Sequence, residues 1–267
     1  MALTLPTGID FRLMAPGDID AVLAIIGQHD EDDYEMARQA FANGGGDQFV
    51  LTAHDEVVGT TGASYADGTD ATYWLSWTYL DEVYRGRGLG SVMLETMVDQ
   101  LRTLEARKVF VNVSDYVDME RGSIYEDAMR AYERAGFVEE LRHRDYYDRN
   151  ESLIVLGMRL APEPQASGTV TPDQRAGRLV DCGEIPDTED AYLIDWEFTE
   201  GTGSTDDDVR EYLSKIAKWE GRVVFVSAST EATRVMGLLR NNGFFEEGRL
   251  RDFYEDGMDD IHFRYDY

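Results

Sequence analysis

Apolar and polar residues follow one another in short segments that predict a regular order of strands and helices. Apolar runs of strand length occur over 9–14, 48–53, 57–66 and 71–80. Between the first two runs, the segment IDAVLAII and a second segment within 29–43 have apolar residues at helical spacing. Asp18 stands just before the first of these helices and is predicted to cap it.

Helices and strands continue to alternate after residue 80. A helical pattern follows residue 91, a buried strand is predicted over 108–114, and another helix over 126–137. Residues 143–160 then predict a closing pair of strands. This alternation predicts an α/β class.

One glycine-rich stretch, LDEVYRGRGLGS at 80–91, joins a predicted strand to a predicted helix. Glycines allow its backbone N–H groups to turn toward one point, where the positive end of the helix dipole favours a phosphate. Arg85 and Arg87 add positive charge. The stretch has Ser91 where a dinucleotide-binding fingerprint needs its third glycine, and it lacks the Gly-Lys-Ser/Thr of a nucleotide P-loop. It therefore predicts an anion site of another kind, with a flexible turn as the alternative.

Two motifs together resemble the signature of the Gcn5-related N-acetyltransferases. In that family the first motif is Arg/Gln-x-x-Gly-x-Gly/Ala, which Arg85, Gly88 and Gly90 match. The second motif ends in Tyr-Glu-x-x-Gly-Phe, which the segment 132–137 matches. The order of the preceding elements also fits, so the resemblance covers residues 9–161. It implies a mixed, mostly antiparallel twisted sheet flanked by helices.

The resemblance also implies where a substrate binds. Acetyl-coenzyme A is expected in a wedge between strands 71–80 and 108–114, which splay apart in this family. Its pyrophosphate is expected on the glycine-rich stretch, and its pantetheine arm along the end of strand 71–80, where one N–H group polarises the thioester carbonyl. The residues expected to contact it are Thr78, Tyr79, Leu80, Arg85, Gly86, Arg87, Gly88, Leu89, Gly90, Ser91 and Tyr125.

The sequence indicates the catalytic residues less clearly than the residues that bind the coenzyme. Tyr132 stands where the family places the tyrosine that protonates the departing thiolate, although a core aromatic on an amphipathic helix is the alternative. Tyr125 takes the position, seven residues earlier, where the family often has asparagine. Asp115 is the candidate general base, with Glu82 and an ordered water chain as alternatives.

An acidic segment at 30–35 lies where the family lines the acceptor side. It could attract a cationic amine, but a solvated acidic surface is the preferred interpretation. Its members are Asp30, Glu31, Asp32, Asp33 and Glu35.

The second half of the chain repeats part of the first. VFVNVS at 109–114 reappears as VFVSAS at 224–229, and RAGFVEELRHRDYYD at 134–148 reappears as NNGFFEEGRLRDFYE at 241–255. The copy is too short for the opening strand and the two opening helices.

The copy also lacks the residues expected to bind the coenzyme. Its loop at 200–208 has carboxylates in place of the two arginines, and Leu239 stands where the first copy has its tyrosine. We therefore predict a catalytic domain over 1–161, a linker over 162–174 and a degenerate partial domain over 175–267.

Composition narrows the choice of partners. The chain has 53 Asp and Glu against 25 Lys and Arg, a net charge of −28, with only three lysines. Such a charge repels nucleic acid and anionic lipid, which are excluded as partners. The composition is similar to that of cytoplasmic proteins from salt-accumulating halophiles. No apolar run approaches the roughly 20 residues of a membrane span, so a cytoplasmic location is predicted.

The single cysteine excludes an internal disulfide, and the four histidines show no metal-ligand spacing, so no metal is expected. The predicted function is N-acetyl transfer from acetyl-coenzyme A to a small-molecule or peptide amine by direct attack in a ternary complex. The alternative is a non-catalytic, coenzyme A-binding regulatory or scaffold protein. Either a monomer with an internal pseudo-dimer or a homodimer fits the repeat.

Overall fold

The computed structural model describes residues 5–29, 31–42, 47–118, 122–123, 125–163 and 171–267. The helices in this part of the chain are α1 Ile19–Gly27, α2 Glu31–Ala42, α3 Leu89–Thr103, α4 Glu126–Ala135, α5 Asp206–Lys218 and α6 Thr233–Asn241. The strands of its first half are β1 Ile9–Leu13, β2 Gln48–Ala53, β3 Glu56–Tyr65, β4 Thr72–Leu80, β5 Lys108–Ser114, β6 Val117–Asp118, β7 Gly122–Ser123, β8 Val138–Asp148 and β9 Glu151–Arg159. The strands of its second half are β10 Ala176–Glu184, β11 Ala191–Thr199, β12 Val223–Ser229, β13 Phe245–Glu255 and β14 Met258–Asp266.

Two large sheets share one strand arrangement. The seven-stranded sheet has the order β1-β2-β3-β4-β5-β9-β8, and the five-stranded sheet has the order β10-β11-β12-β14-β13. Strands β4 and β5 are parallel, as are β11 and β12, whereas the neighbouring pairs β3–β4 and β10–β11 are antiparallel. The smaller sheet therefore matches β3-β4-β5-β9-β8 strand for strand. The predicted fold class, with a mostly antiparallel mixed sheet and flanking helices, is confirmed.

The chain divides into two compact units. The first comprises the described residues of Met1–Val111, Glu126–Val138 and Gly157–Pro162. The second comprises those of Asn112–Tyr125, Glu139–Leu156 and Glu163–Tyr267. Most of β8 and β9 thus groups with the second half of the chain, although the sequence analysis assigned them to the first domain. The domain limits of 1–161, 162–174 and 175–267 stay a prediction.

In the first unit, helices α1 and α2 are held by a shared apolar cluster. Val22 and Ile26 of α1 are fully buried, together with Phe41 of α2 and Val50 of β2. Burying a side chain of this size contributes about 1.5–3 kcal/mol. The helical spacing seen in the sequence places these residues on one face.

The prediction that Asp18 caps α1 is wrong. An N-cap residue needs extended backbone angles, but Asp18 ends a 3-10 turn with φ −90° and ψ −14°. Its carboxylate accepts hydrogen bonds from Arg12 at 2.6 Å and from the backbone N–H of Ala15 at 2.7 Å. Asp18 therefore closes the turn before the helix.

The second unit contains a buried chain of polar side chains. His143 of β8 is only 3% exposed. Its Nδ1 lies 2.5 Å from Glu247 Oε2, and its Nε2 lies 3.0 Å from His262 Nδ1. Arg264 also donates to Glu247, at 3.1 Å. Burial lowers the pKa of His143, which keeps the imidazole neutral and able to bridge these partners.

No helix in the described part of the chain is both long and apolar enough to cross a membrane.

Candidate active site

The glycine-rich turn between β4 and α3 presents unused backbone donors. Gly86 and Gly88 have φ of +72° and +77°, and Gly88 is the N-cap of α3 with no side chain to cap it. The first bond into the helix is Val92 N–H to Gly88 O at 3.1 Å. Among the described residues, no acceptor is bonded to the amides from Gly86 to Ser91. The turn therefore has the geometry of an anion site at a helix N-terminus.

Space is open at this turn. Among the described residues, a Cβ atom added at Gly86 or Gly88 would meet no atom within 4 Å, and at Gly90 only Leu80 Cδ2 at 3.9 Å. Leu89 is buried and fixes the start of α3 on the apolar cluster below. A ligand can therefore approach the amides closely.

The two arginines of the turn have different surroundings. The guanidinium of Arg87 lies 5.2 Å from the ring centroid of Tyr84 and is exposed. Arg85 turns toward the end of β4, where its Nη2 lies 3.6 Å from Glu82 and its Nε lies 3.4 Å from Leu80 O. Its Nη2 also contacts His29, at 2.6 Å from Nε2 and 3.0 Å from Nδ1.

The predicted splay of β4 from β5 is present. Their parallel register covers Thr72↔Lys108, Tyr73↔Val109 and Trp74↔Phe110, and no pair beyond Trp74 occurs in the described register. We call the side of β4 that faces away from β3, from Leu75 to Leu80, the wedge. Asp81 N–H donates to Val58 O of β3 at 2.9 Å. Since N–H groups alternate between the two sides of a strand, the N–H of Leu80 points away from β3 and toward the wedge.

A bulge in β4 accompanies the wedge. Trp77 has φ of +47°, and the β3–β4 register shifts between Thr60 and Gly62. Gln48 is buried beneath the bulge, and its side-chain amide donates to Trp77 O at 3.2 Å and to Thr60 Oγ1 at 2.8 Å. These bonds hold the bulge in one conformation. A non-glycine residue at positive φ has no sequence signature, so this feature was missed.

Tyr132 lies at the wedge and not simply in the core. It is on α4, 6% exposed, with its ring 5.5 Å from that of Phe137. Its hydroxyl is hydrogen-bonded to Thr78, whose Oγ1 lies 2.9 Å from Thr61 Oγ1. Burial raises the pKa of Tyr132 to about 12, more than the bond from Thr78 lowers it. A protonated phenol therefore sits beside the unpaired part of β4.

Asp115 is held by structural contacts in the second unit. Its Oδ2 accepts from Arg142 at 2.9 Å, and its Oδ1 accepts from the backbone N–H of Ser152 at 2.6 Å. Both oxygens are thus used to join strand ends, which counts against the base role. Tyr125 directly precedes α4 and is half-buried. The roles predicted for Asp115 and Tyr125 stay predictions.

The acidic segment near α2 is only partly within the described residues. Asp30 and the side chain of Asp32 lie outside them. Glu35 pairs with Arg38 at 2.6 Å on the surface of α2, and Asp33 accepts a hydrogen bond from the hydroxyl of Tyr79. Asp33 therefore contacts a residue of the wedge, whereas Glu35 is a surface ion pair.

His29 is a residue that the sequence analysis did not single out. It follows α1, its ring lies 5.0 Å from that of Tyr79, and its Nε2 lies 3.2 Å from Leu80 O. Burial, and then the charge of Arg85, lower its pKa. The only sequence signal was its position between a predicted helix and an acidic loop, which points to no partner.

The corresponding turn of the second half is capped by side chains of its own. Thr205 caps α5, its Oγ1 accepting from Asp208 N–H at 3.4 Å while Asp208 accepts from Thr205 N–H at 2.7 Å. Ser204 N–H donates to Gly177 O at 2.8 Å. A Cβ at Gly203 would come within 2.7 Å of Gly177 O. This turn is closed by its own residues.

The second wedge is closed as well. Pairing of β11 with β12 ends at Leu193↔Phe225, and the indole of Trp196 then donates to Ser227 O at 2.7 Å across the gap. Leu239 of α6 is fully buried and offers no hydroxyl. Within the described residues, no group of three or more His, Cys, Asp or Glu side chains is arranged to hold a metal ion.

Comparison with known proteins agrees with this geometry. Residues 19–137 match the model of the acetyltransferase (GNAT) family. No curated protein matches the chain. A GNAT-family protein from Desulfovibrio desulfuricans is 23% identical, with a TM-score of 0.51 over 57% of this chain and 99% of its own. This likeness shows the same fold.

Two further solved structures are similar at lower scores. The yncA protein from Salmonella typhimurium, solved with its cofactor acetyl-CoA, is 17% identical, with a TM-score of 0.46 over 60% of this chain and 98% of its own. The ribosomal-protein-S18-alanine N-acetyltransferase from Escherichia coli is 20% identical, with a TM-score of 0.47 over 59% and 97%. The family match identifies residues 19–137 as an acetyltransferase domain of the GNAT family, which is a kind of acyltransferase domain.

Proposed function

We propose that this chain moves the acetyl group of acetyl-coenzyme A to a primary amine by direct attack in a ternary complex. The observation that carries the proposal is the meeting of three features in the first unit. An uncapped helix N-terminus lies at one end of the wedge. The described register of β4 with β5 ends before the wedge, and the buried hydroxyl of Tyr132 lies beside it.

The turn from Gly86 to Ser91 fits a pyrophosphate. Its amides donate to no protein acceptor in the described part of the chain, and the two glycines leave room for close approach. The helix dipole of α3 and the guanidinium groups of Arg85 and Arg87 favour negative charge there. This is the expected site of the phosphates of the coenzyme.

The wedge fits the remaining chemistry. The N–H of Leu80 is aimed to polarise a thioester carbonyl that lies along β4. The nitrogen of a neutral amine attacks the carbonyl carbon, and the C–S bond breaks. The nitrogen loses one proton to solvent, and the departing thiolate takes one proton from solvent. Tyr132 stays protonated at neutral pH because its pKa is about 12, so it can donate a hydrogen bond to the developing thiolate.

The second half is proposed to be a truncated copy that binds no coenzyme. Its helix N-terminus is occupied by Thr205 and Asp208, and three aspartates stand in the first turn of α5. These carboxylates favour the helix but repel a phosphate.

The proposed acceptors are all primary amines. They are a small polyamine, an aminoglycoside-like compound, a lysine side chain or a peptide N-terminus.

An assay of thiol release tests the proposal. The full chain is mixed with acetyl-coenzyme A and one primary amine of each class, in dilute buffer and in molar potassium chloride. We expect free thiol to appear faster with at least one amine than without any amine, and the acetylated amine to accumulate in equal amount. Coenzyme binding with the same thiol release in the presence and absence of every amine would instead support a non-catalytic binding protein.

A further inference from the structure

His29 contacts the guanidinium of Arg85 at the end of β4. The guanidinium of Arg85 contacts His29, Leu80 O and Glu82, all at the end of β4. A hydrogen bond from Arg85 to the imidazole needs a lone pair on the ring, which only neutral His29 has. The contact and a proton on His29 are therefore mutually exclusive.

The charged and titratable groups around His29 come from several elements. Beside it lie Arg85, Glu82 and Asp81 from the segment after β4, and Tyr79 from β4 itself. Asp33 of α2 reaches this group through the hydroxyl of Tyr79. Burial and the charge of Arg85 lower the pKa of His29, whereas Glu82, Asp81 and Leu80 O raise it. Removing the contact with Arg85 would therefore favour the protonated ring.

We propose that His29 is a positioning residue that exchanges Arg85 for a proton when a phosphate-bearing substrate binds at the glycine-rich turn. Arg85 leaves the imidazole for a phosphate oxygen, and one proton from solvent takes the place of the guanidinium on His29. This inference rests on the proposed function, because it needs acetyl-coenzyme A to bind at that turn.

The exchange follows from the strengths of the two contacts. A phosphate offers a guanidinium an opposite charge and two oxygens for parallel hydrogen bonds, whereas neutral imidazole offers one lone pair and no charge. Arg85 is also the cation that pairs with Glu82, so Glu82 loses this ion pair once Arg85 has moved. A protonated His29 supplies a new cation, and its Nε2–H can then donate to Leu80 O, which lies 3.2 Å away.

Calorimetry measures this proton directly. Acetyl-coenzyme A is titrated into the full chain in two buffers of different ionisation enthalpy, because the difference in apparent enthalpy gives the number of protons bound. The titrations are run at about pH 6, below the ordinary imidazole value of about 6.5, and at about pH 8. The variants are His29→Gln and, as the matched control, His54→Gln in the exposed turn between β2 and β3.

At about pH 6, we expect the wild type and His54→Gln to take up more protons on binding than His29→Gln does, with a difference of at most one proton. At about pH 8, we expect the same proton uptake in all three proteins. Comparing variants cancels any proton taken up by the phosphates of the substrate. Equal proton uptake by the wild type and a folded His29→Gln that binds acetyl-coenzyme A would overturn the inference and leave the coenzyme site intact. No binding by the wild-type chain would overturn the proposed function together with the inference.

Arg85→Gln gives a second test. Its residual binding of acetyl-coenzyme A should also show reduced proton uptake at about pH 6.

Discussion

At the scale of single residues, burial keeps the hydroxyl of Tyr132 protonated. The phenol is buried against Phe137, and the loss of hydration raises its pKa to about 12. Since an ordinary thiol has a pKa of about 8.5, full transfer of the phenolic proton to a thiolate is uphill. The residue is therefore suited to stabilise the thiolate by a hydrogen bond, and it remains protonated over the whole physiological range.

Tyr132→Phe tests this role. Because the ring stays and only one hydrogen-bond donor to the developing anion is lost, we expect kcat to fall by about 10²- to 10³-fold while the KM for acetyl-coenzyme A changes little. The ratio of the wild-type to the variant rate should stay constant from about pH 7 to pH 10, since the phenol does not ionise there. Tyr65→Phe, at a hydroxyl that donates to Thr69 O in the β3–β4 turn, is the control. Full turnover by Tyr132→Phe, or a ratio that falls toward one as the pH rises, would contradict the role.

Some residues of the site could be found from the sequence and others could not. Gly88 and Tyr132 belong to local motifs, so the resemblance to the family was enough to locate them. The contact between His29 and Arg85 joins residues 56 positions apart, and nothing local indicates it. The positive φ of Trp77 depends on the buried Gln48 beneath it, which is a packing effect.

At the scale of elements, two helices in equivalent places differ in whether a side chain caps their first backbone N–H groups. Helix α3 starts at Gly88 with no side-chain cap, whereas α5 starts at Thr205 with a reciprocal cap from Asp208. A capping box satisfies two of the donors that an anion would otherwise take. The sequence predicted this difference, because arginines flank the first turn and aspartates the second.

Gly88→Asp tests the first of these turns. The carboxylate would stand where the phosphate is expected, and losing two charge-assisted hydrogen bonds costs about 3–6 kcal/mol, or roughly a 10²- to 10⁴-fold loss of affinity for acetyl-coenzyme A. Gly68→Asp is the matched control, because Gly68 has φ of +75° and equally open space but lies in the β3–β4 turn. Both variants should lose similar thermal stability, and only Gly88→Asp should lose affinity. Unchanged affinity in a folded Gly88→Asp chain would place the phosphates elsewhere.

At the scale of the whole chain, the repeat is visible in topology as well as in sequence. Strands β10-β11-β12-β14-β13 have the order of β3-β4-β5-β9-β8, and in the described residues β10 is the first element after the predicted linker. The repeated segments, together with the resemblance of the first half to a known family, were enough to predict a partial copy of the first sheet. They could not predict that residues 139–156 group with the second half, because His143 meets Glu247 and His262 only through tertiary packing.

A calorimetric titration of the wild-type chain with acetyl-coenzyme A tests the central claim most directly. We expect one molecule of acetyl-coenzyme A bound per chain, because the site is open in the first half and closed in the second. Two molecules per chain would contradict the closed state of the second turn and of the wedge that Trp196 bridges. No binding at all would contradict the anion site at Gly86–Ser91.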